Sequence, residues 1–263
     1  MQNNKIQSTI EYWKERLSAT YGKDHILSIT LYGSQNYNID TPNSDVDVKA
    51  IYVPSITEAV INKNWMSKEL HDENNQHCEI KDIREMCKMY SKQNINFLET
   101  LFTRYRWDNP LYNHTHILLN VNRENISKCQ PYYAIKSICG QGINTIKQLK
   151  TNPTDGKKLA KAIYFYLFLN KYKKNYPYEK CLKIDEQETF LHYNARNLLI
   201  DLKLNNYDFD YCNSLIIKMI ENSFKSNLEN VINEKSDNIT LRTLKRTVPL
   251  SAINDYENNK STF

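Results

Sequence analysis

The sequence predicts an α/β (α+β) core with a small mixed sheet, followed by a helical C-terminal domain. Three observations carry this expectation. Two apolar, β-branched runs at residues 25–32 and 45–53 flank a polar stretch rich in turn formers. Beyond Pro110 the strand patterns fade and apolar residues recur at helical spacing. The chain has 263 residues, 40% hydrophobic and 25% charged, which is enough for one large domain or two modest ones with a real core.

Taken in order, residues 7–22 read as an amphipathic helix with Ile10, Trp13, Leu17 and Tyr21 at helical spacing. Residues 25–32 form a strand that Gly33 and Ser34 break. The stretch 35–44 is a polar loop, and residues 45–53 form a second strand through Val46, Val48, Ile51 and Val53, ended by Pro54. A short helix near 57–61 and a polar loop at 72–76 precede a short third strand at 77–81. Asp82 then stands as an N-cap with Glu85 three residues on, a capping-box pattern. It heads a helix whose apolar stripe is Ile83, Met86, Cys87 and Tyr90. Phe97, Leu98, Leu101, Phe102 and Tyr105 mark another helix, and His114 and His116 fit a loop or strand edge. Helices are expected near 132–150, 156–171, 186–203 and 210–233, and the polar tail after Tyr256 is expected to fray. The boundary falls near 108–130, giving domains 1–110 and 111–263.

Composition removes several classes. With Gly at 5 and Pro at 7, the chain is neither collagen-like nor low-complexity. The longest apolar run, 162–169, is too short for a bilayer, and the first residues hold no apolar signal-peptide core. The expectation is a soluble cytoplasmic protein with no membrane partner. Cys78, Cys87, Cys129, Cys139, Cys181 and Cys212 form no C-x-x-C pair and read as buried free thiols. His71, His77 and Cys78 lack a fourth ligand at finger spacing, so a zinc site is not expected. The net charge of +5 is mild, but lysines crowd residues 128–183, opposed only by Asp155 and Glu179. Such a surface suits a polyanion.

The chemistry-bearing segment is Leu31, Tyr32, Gly33 and Ser34, then the polar loop, then Ser44, Asp45, Val46, Asp47 and Val48. A strand delivers Gly33 to a tight turn where backbone can approach a ligand and successive N–H groups can nest an anion; Ser34 adds a hydroxyl. Residues two apart on a strand share a face, so Asp45 and Asp47 point together while Val46 and Val48 enter the core. Paired carboxylates suit Mg²⁺ or Mn²⁺, which take oxygen ligands. A phosphate nest beside such a pair describes a site for a nucleoside triphosphate and in-line displacement. Glu79, on the face opposite Cys78 and Ile80, is the expected third carboxylate. Asp82 is accounted for by capping, and Asp72 and Glu73 lie in a loop.

These residues resemble the DNA polymerase beta-like nucleotidyltransferase superfamily, in its bacterial and phage branch. The resemblance rests on YGSQNYNIDTPNSDVDVKAI (residues 32–51), EIKDIR (79–84) and NINFLETLF (94–102). It implies that Gly33 and Ser34 hold triphosphate, that Asp45 and Asp47 bind both metal ions, and that Glu79 is the third ligand. It also implies a phosphate-binding base on a helix of the second domain. There GKKLAKAIY (156–164) offers Lys157 or Lys158, while Lys161 and Tyr164 stand where relatives carry histidine and arginine. The implied activity moves a nucleoside monophosphate from a nucleoside triphosphate to an acceptor hydroxyl. An RNA 3′ end is favoured slightly by the lysines and by tyrosines such as Tyr132, Tyr133, Tyr164 and Tyr166 that can stack bases. Alternatives are an antitoxin-like protein that modifies a protein hydroxyl, and a nucleotide-binding module without turnover.

Overall fold

A computed structural model describes residues 2–61, 66–72, 76–206, 211–231 and 237–260. The chain divides into two compact units, each discontinuous in sequence. Unit 1 comprises Met1–Gly33, Asp45–Gln130 and Ser236–Phe263; unit 2 comprises Ser34–Ser44 and Pro131–Lys235. The expected boundary at residue 110 is therefore displaced. Residues 111–130 and the C-terminal return belong with the sheet, and the polar loop after Gly33 belongs with the helices.

Unit 1 begins with α1 (Gln2–Tyr21), followed by β1 (Ile26–Tyr32), β2 (Asp47–Tyr52), α2 (Ile56–Ile61), β3 (Ser67–His71) and β4 (His77–Asp82). Then come α3 (Ile83–Ser91), the short α4 (Ile95–Leu98), β5 (Arg106–Asp108) and α5 (Asn113–Lys128). The sheet order is β3-β4-β2-β1-β5. It is mixed: β2 and β4 run parallel, and every other pair is antiparallel. Alternation sorts the residues between faces. Ile29, Leu31, Val48, Ala50, Cys78 and Ile80 form one core with Ile6, Ile10, Trp13 and Leu17 of α1. That burial of large apolar side chains is the main stabilising term of the unit. The opposite face carries Tyr32, Asp47, Lys49, His77, Glu79 and Lys81.

Two strands of this sheet escaped the sequence reading. β3 is exposed except for half-buried Leu70, and β5 has only three residues. Asp82 does cap α3, accepting from Arg84 N at 2.8 Å, but the capping box is incomplete. The Asp82 N–H donates to Met66 O at 2.8 Å, and Glu85 pairs with Lys88 instead. His114 and His116 lie in α5, not in a loop or strand edge.

Unit 2 holds α6 (Pro131–Thr151), α7 (Gly156–Lys173), α8 (Tyr178–Leu182), the hairpin β6 (Thr189–Phe190) and β7 (Tyr193–Asn194), α9 (Ala195–Lys203) and α10 (Tyr211–Asn230). The helix expected over 186–203 is thus a two-stranded hairpin followed by a shorter helix. At Gly156 a Cβ would lie 2.0 Å from Leu202 O, so only glycine lets α7 start against α9. The chain then re-enters unit 1 through α11 (Asn238–Arg242), a π-helical turn (Thr243–Thr247) and α12 (Val248–Lys260). The tail does not fray through residue 260: Glu257 accepts from Ile56 N at 3.0 Å, and Asn259 donates to Leu111 O at 3.1 Å.

Cys78, Cys87, Cys129, Cys139 and Cys181 are buried free thiols. Burial pushes Cys78, Cys129 and Cys139 up to about 12. The Cys212 side chain, Glu73, Ile232 and the outer ends of the expected helix 210–233 lie outside the described residues. Among the described residues no helix is long and apolar enough to cross a membrane.

Candidate active site

The polar sheet face is set by register. Tyr32, the last residue of β1, pairs with Asp47, the first of β2. β2 and β4 pair Lys49 with Glu79, so the same parallel register sets Asp47 beside His77. Asp45 precedes β2 instead of lying within it. The burial pattern nevertheless alternates as expected, with Asp45 exposed, Val46 buried, Asp47 half-buried and Val48 buried.

Gly33 follows Tyr32 with φ +96°, a left-handed conformation that disfavours any side chain. A Cβ there would meet nothing within 4 Å, so the space over the backbone is open. The expected anion nest needs correction, because the Gly33 N–H already donates to Glu99 Oε2 at 2.9 Å. Glu99 is only 1% exposed and comes from the short helical turn after α4. The turn offers room, but not a free amide at Gly33.

The three predicted carboxylates sit in contrasting surroundings. Burial pushes the Asp47 carboxyl above the usual aspartate range; His77, Lys49 and His71 oppose that shift and Asp45 reinforces it. Burial also acts upward on Glu79, but Lys49 and Lys81 more than offset it and hold the carboxyl below the usual glutamate range. Glu79 Oε2 accepts from Lys49 Nζ, and Oε1 pairs with Lys81 Nζ at 2.8 Å. Both oxygens are therefore engaged by ammonium groups. The strand neighbour of Asp47 is His77, and Glu79 lies one pleat further along β4. Lys49 is itself buried, with its ammonium 3.8 Å from the Tyr32 ring centroid and 4.4 Å from that of Phe97. Tyr32 is held protonated by burial, with Asp47, Glu79 and Glu99 acting the same way, and its hydroxyl lies 2.7 Å from His77 Nδ1.

The remaining predicted residues belong to unit 2. Ser34 opens a loop that is clamped rather than free. Its carbonyl accepts from Tyr37 N at 3.1 Å and Ile39 N at 3.3 Å. Tyr37 stacks on Tyr164 at 4.4 Å, Arg196 donates to Asn38 O at 2.9 Å, and Lys203 donates to Ile39 O at 2.7 Å. At the start of α7, Asp155 caps by accepting from Lys158 N at 3.0 Å and pairs with Lys158 Nζ at 3.1 Å, while Lys157 is exposed. Tyr164 is buried with its hydroxyl on Leu182 O at 3.1 Å, so it cannot stack on a base. Tyr133 is exposed.

Glu99, Lys49, Tyr32 and His77 shape the site without having been predicted. Glu99 lies in one of the quoted motifs, and a charged residue between Leu98 and Leu101 was the available signal. Compared with known proteins, the chain matches no protein-family model and no curated protein sequence.

Proposed function

We propose that the protein is a metal-dependent nucleotidyltransferase, moving a nucleoside monophosphate from a nucleoside triphosphate to an acceptor hydroxyl. The observation that carries this reading is one corner of the sheet. Asp47 is half-buried, with its carboxyl pushed up by burial, and Asp45 is exposed two residues before it. Across the β1–β2 ladder stands Tyr32, followed by the open-backed Gly33. Two carboxylates two residues apart at the start of β2 form a donor set of hard oxygens, which fits Mg²⁺ or Mn²⁺. When bound, such an ion supplies positive charge to phosphate oxygens and lowers the pKa of an attacking hydroxyl.

The chain's own residues do the positioning. Asp45 and Asp47 would hold the ion at the start of β2. Gly33 leaves a path for phosphate against the backbone, and Glu99 fixes that glycine through its N–H. Glu79 is left out of the metal set in this reading, because both of its oxygens are engaged by Lys49 and Lys81; it holds the buried Lys49 and half-buried Lys81 ammonium groups on this face. The proposal rests on unit 1 residues. Roles for Ser34, Lys157 and Lys158 toward phosphate stay as expectations of the resemblance.

For the acceptor we favour an RNA 3′ hydroxyl, on the lysine surplus of residues 128–183. The test is incubation with each α-labelled nucleoside triphosphate, Mg²⁺ or Mn²⁺, and either RNA or lysate protein. Label in RNA that is absent with Asp47→Asn supports the reading. Label in protein moves the acceptor to a protein hydroxyl, and no label with any acceptor or metal overturns the enzyme.

A further inference from the structure

We propose that the β3–β4 hairpin carries a metal site of its own, made by Glu69, His71 and His77, for a transition-metal dication such as Zn²⁺. One ligand atom from each of these residues lies within 4.8 Å of the others. The cause is register: β3 and β4 pair His71 with His77, and Glu69 stands two residues before His71 on the same face. The zinc grouping considered from the sequence fails at Cys78, which points to the opposite face and is buried in the core against α1. Glu69 takes its place through strand pairing, a neighbour that sequence spacing does not reveal.

The frame around the cluster is held from several sides. Asp72 N donates to Gln76 O at 3.1 Å and Gln76 N donates to Asp72 Oδ1 at 2.6 Å, closing the hairpin between the two histidines. Arg16 Nη1 donates to His71 O at 3.0 Å, pinning the end of the edge strand to α1. The Tyr32 hydroxyl is 2.7 Å from His77 Nδ1. With Nδ1–H donating to that oxygen, Nε2 is the free ligand atom, the arrangement by which an outer group orients a metal-binding histidine. The rings of His71 and His77 stand 5.0 Å apart at 35°. Glu69 and His71 are exposed, so small side-chain rotations can bring the donors to zinc bond lengths of about 2.0–2.2 Å.

The chemistry of the donors separates this site from the Asp45–Asp47 pair. Two imidazoles with one carboxylate suit Zn²⁺ and its neighbours, whereas Mg²⁺ takes oxygen donors. The charge also fits. Glu79, opposite Glu69 on β4, is neutralised by two lysines, while Glu69 has no ion pair among the described residues. Three protein ligands leave one tetrahedral position open to water or to an oxyanion.

The site shares His77 and Tyr32 with the corner that holds Asp47, and its test reads metal directly, without the transfer reaction. The full chain, prepared without a polyhistidine tag and stripped with chelator, is dialysed against Zn²⁺ and then analysed for bound metal; Co²⁺ absorption serves as a second probe. One equivalent is expected, with a rise in thermal midpoint on zinc addition. His71→Ala, His77→Ala and Glu69→Gln are each expected to weaken binding by about 100-fold or more. Tyr32→Phe is expected to weaken it about 10–100-fold, as for other orienting groups. Asp47→Asn should retain the equivalent. No uptake by the wild type, or unchanged uptake in the doubly substituted His71→Ala, His77→Ala chain, would overturn the site. Loss of zinc with Asp47→Asn, while His71→Ala keeps it, would move the ion to β2 and overturn it equally.

Discussion

Asp47 and Glu79 occupy adjacent parallel strands on the same sheet face, one pleat apart, and live in opposite surroundings. Asp47 has been drawn partly out of water with no ion pair among the described residues, and burial outweighs His77, Lys49 and His71, so its carboxyl is pushed up. Glu79 is also half-buried but carries an ammonium group on each oxygen, so its carboxyl is pushed down. The first arrangement stores unfavourable electrostatic energy that a dication can relieve; the second is already satisfied. The difference separates a carboxylate suited to recruit metal from one that organises its neighbours.

The largest expected effect breaks the first member of the pair. Asp45→Asn and Asp47→Asn should each lower metal-dependent nucleotidyl transfer on the order of 100-fold or more, because each removes counter-charge for the ion. Steady-state rates with Mg²⁺ and with Mn²⁺ check this, and full activity in either variant would remove the pair from the mechanism.

Next comes stability at Glu79. Glu79→Gln strips the partner from Lys49, whose side chain is 4% exposed, and should destabilise the fold by about 3–5 kcal/mol. Pairing Glu79→Leu with Lys49→Met should recover much of that loss, since it removes both charges. Denaturant titration gives both numbers. The pH dependence follows from the lowered pKa: the Glu79 contribution is present above the ordinary glutamate value of 4.5 and is lost as pH falls through the lower folded value.

Asp47 has the reverse sign. Its folded pKa is raised above 3.8, so between 3.8 and the folded value the native state binds more protons than the unfolded chain and stability falls as pH rises. Asp47→Asn should therefore stabilise the metal-free protein by about 0–1 kcal/mol at neutral pH. That gain should vanish below pH 3.8, which thermal midpoints across pH will show. A loss of stability at neutral pH would mean that Lys49 and the histidines already compensate the charge.

The smallest effect repeats the contrast on α7. Lys158→Ala removes the ion pair with Asp155 and should cost about 0.2–1 kcal/mol, whereas exposed Lys157→Ala should stay within about 0.5 kcal/mol. Equal and larger losses would show that both side chains pack structurally.

What the sequence revealed follows the same division between local and distant causes. β1 and β2 are apolar and β-branched enough to be read, β4 alternates, and Asp82 announces the start of α3. β3 reads as Ser-Lys-Glu-Leu-His because an edge strand with one half-buried side chain has little hydrophobic pattern to display. Asp45 and Asp47 were legible because their spacing is local. The ammonium groups on Glu79, the Glu99 bond to Gly33 and the Glu69–His71–His77 grouping come from strand pairing and from segments far along the chain. Lys49 stands 30 residues from Glu79 and Glu99 stands 66 from Gly33, while the hairpin cluster depends on the β3–β4 register. The C-terminal helix was missed for a related reason: its polar residues are partners of α5 and α2, with Asp255 accepting from Thr115 N at 3.2 Å and Thr115 Oγ1 at 3.0 Å.

That return of the chain has a consequence for the order of assembly. Unit 1 is closed by its last segment: Tyr256 meets His25 across 231 residues of sequence, and Glu257 meets Ile56 across 201. During synthesis, the sheet with Asp45, Asp47 and the hairpin histidines emerges early, yet it must wait for α12 to leave the ribosome before its packing is complete. Contacts of such separation carry a large loop-closure entropy and slow the search. The helices between residues 131 and 235 are contiguous apart from one short loop and can collapse first. In the nascent chain, the sheet thus becomes the last part to mature.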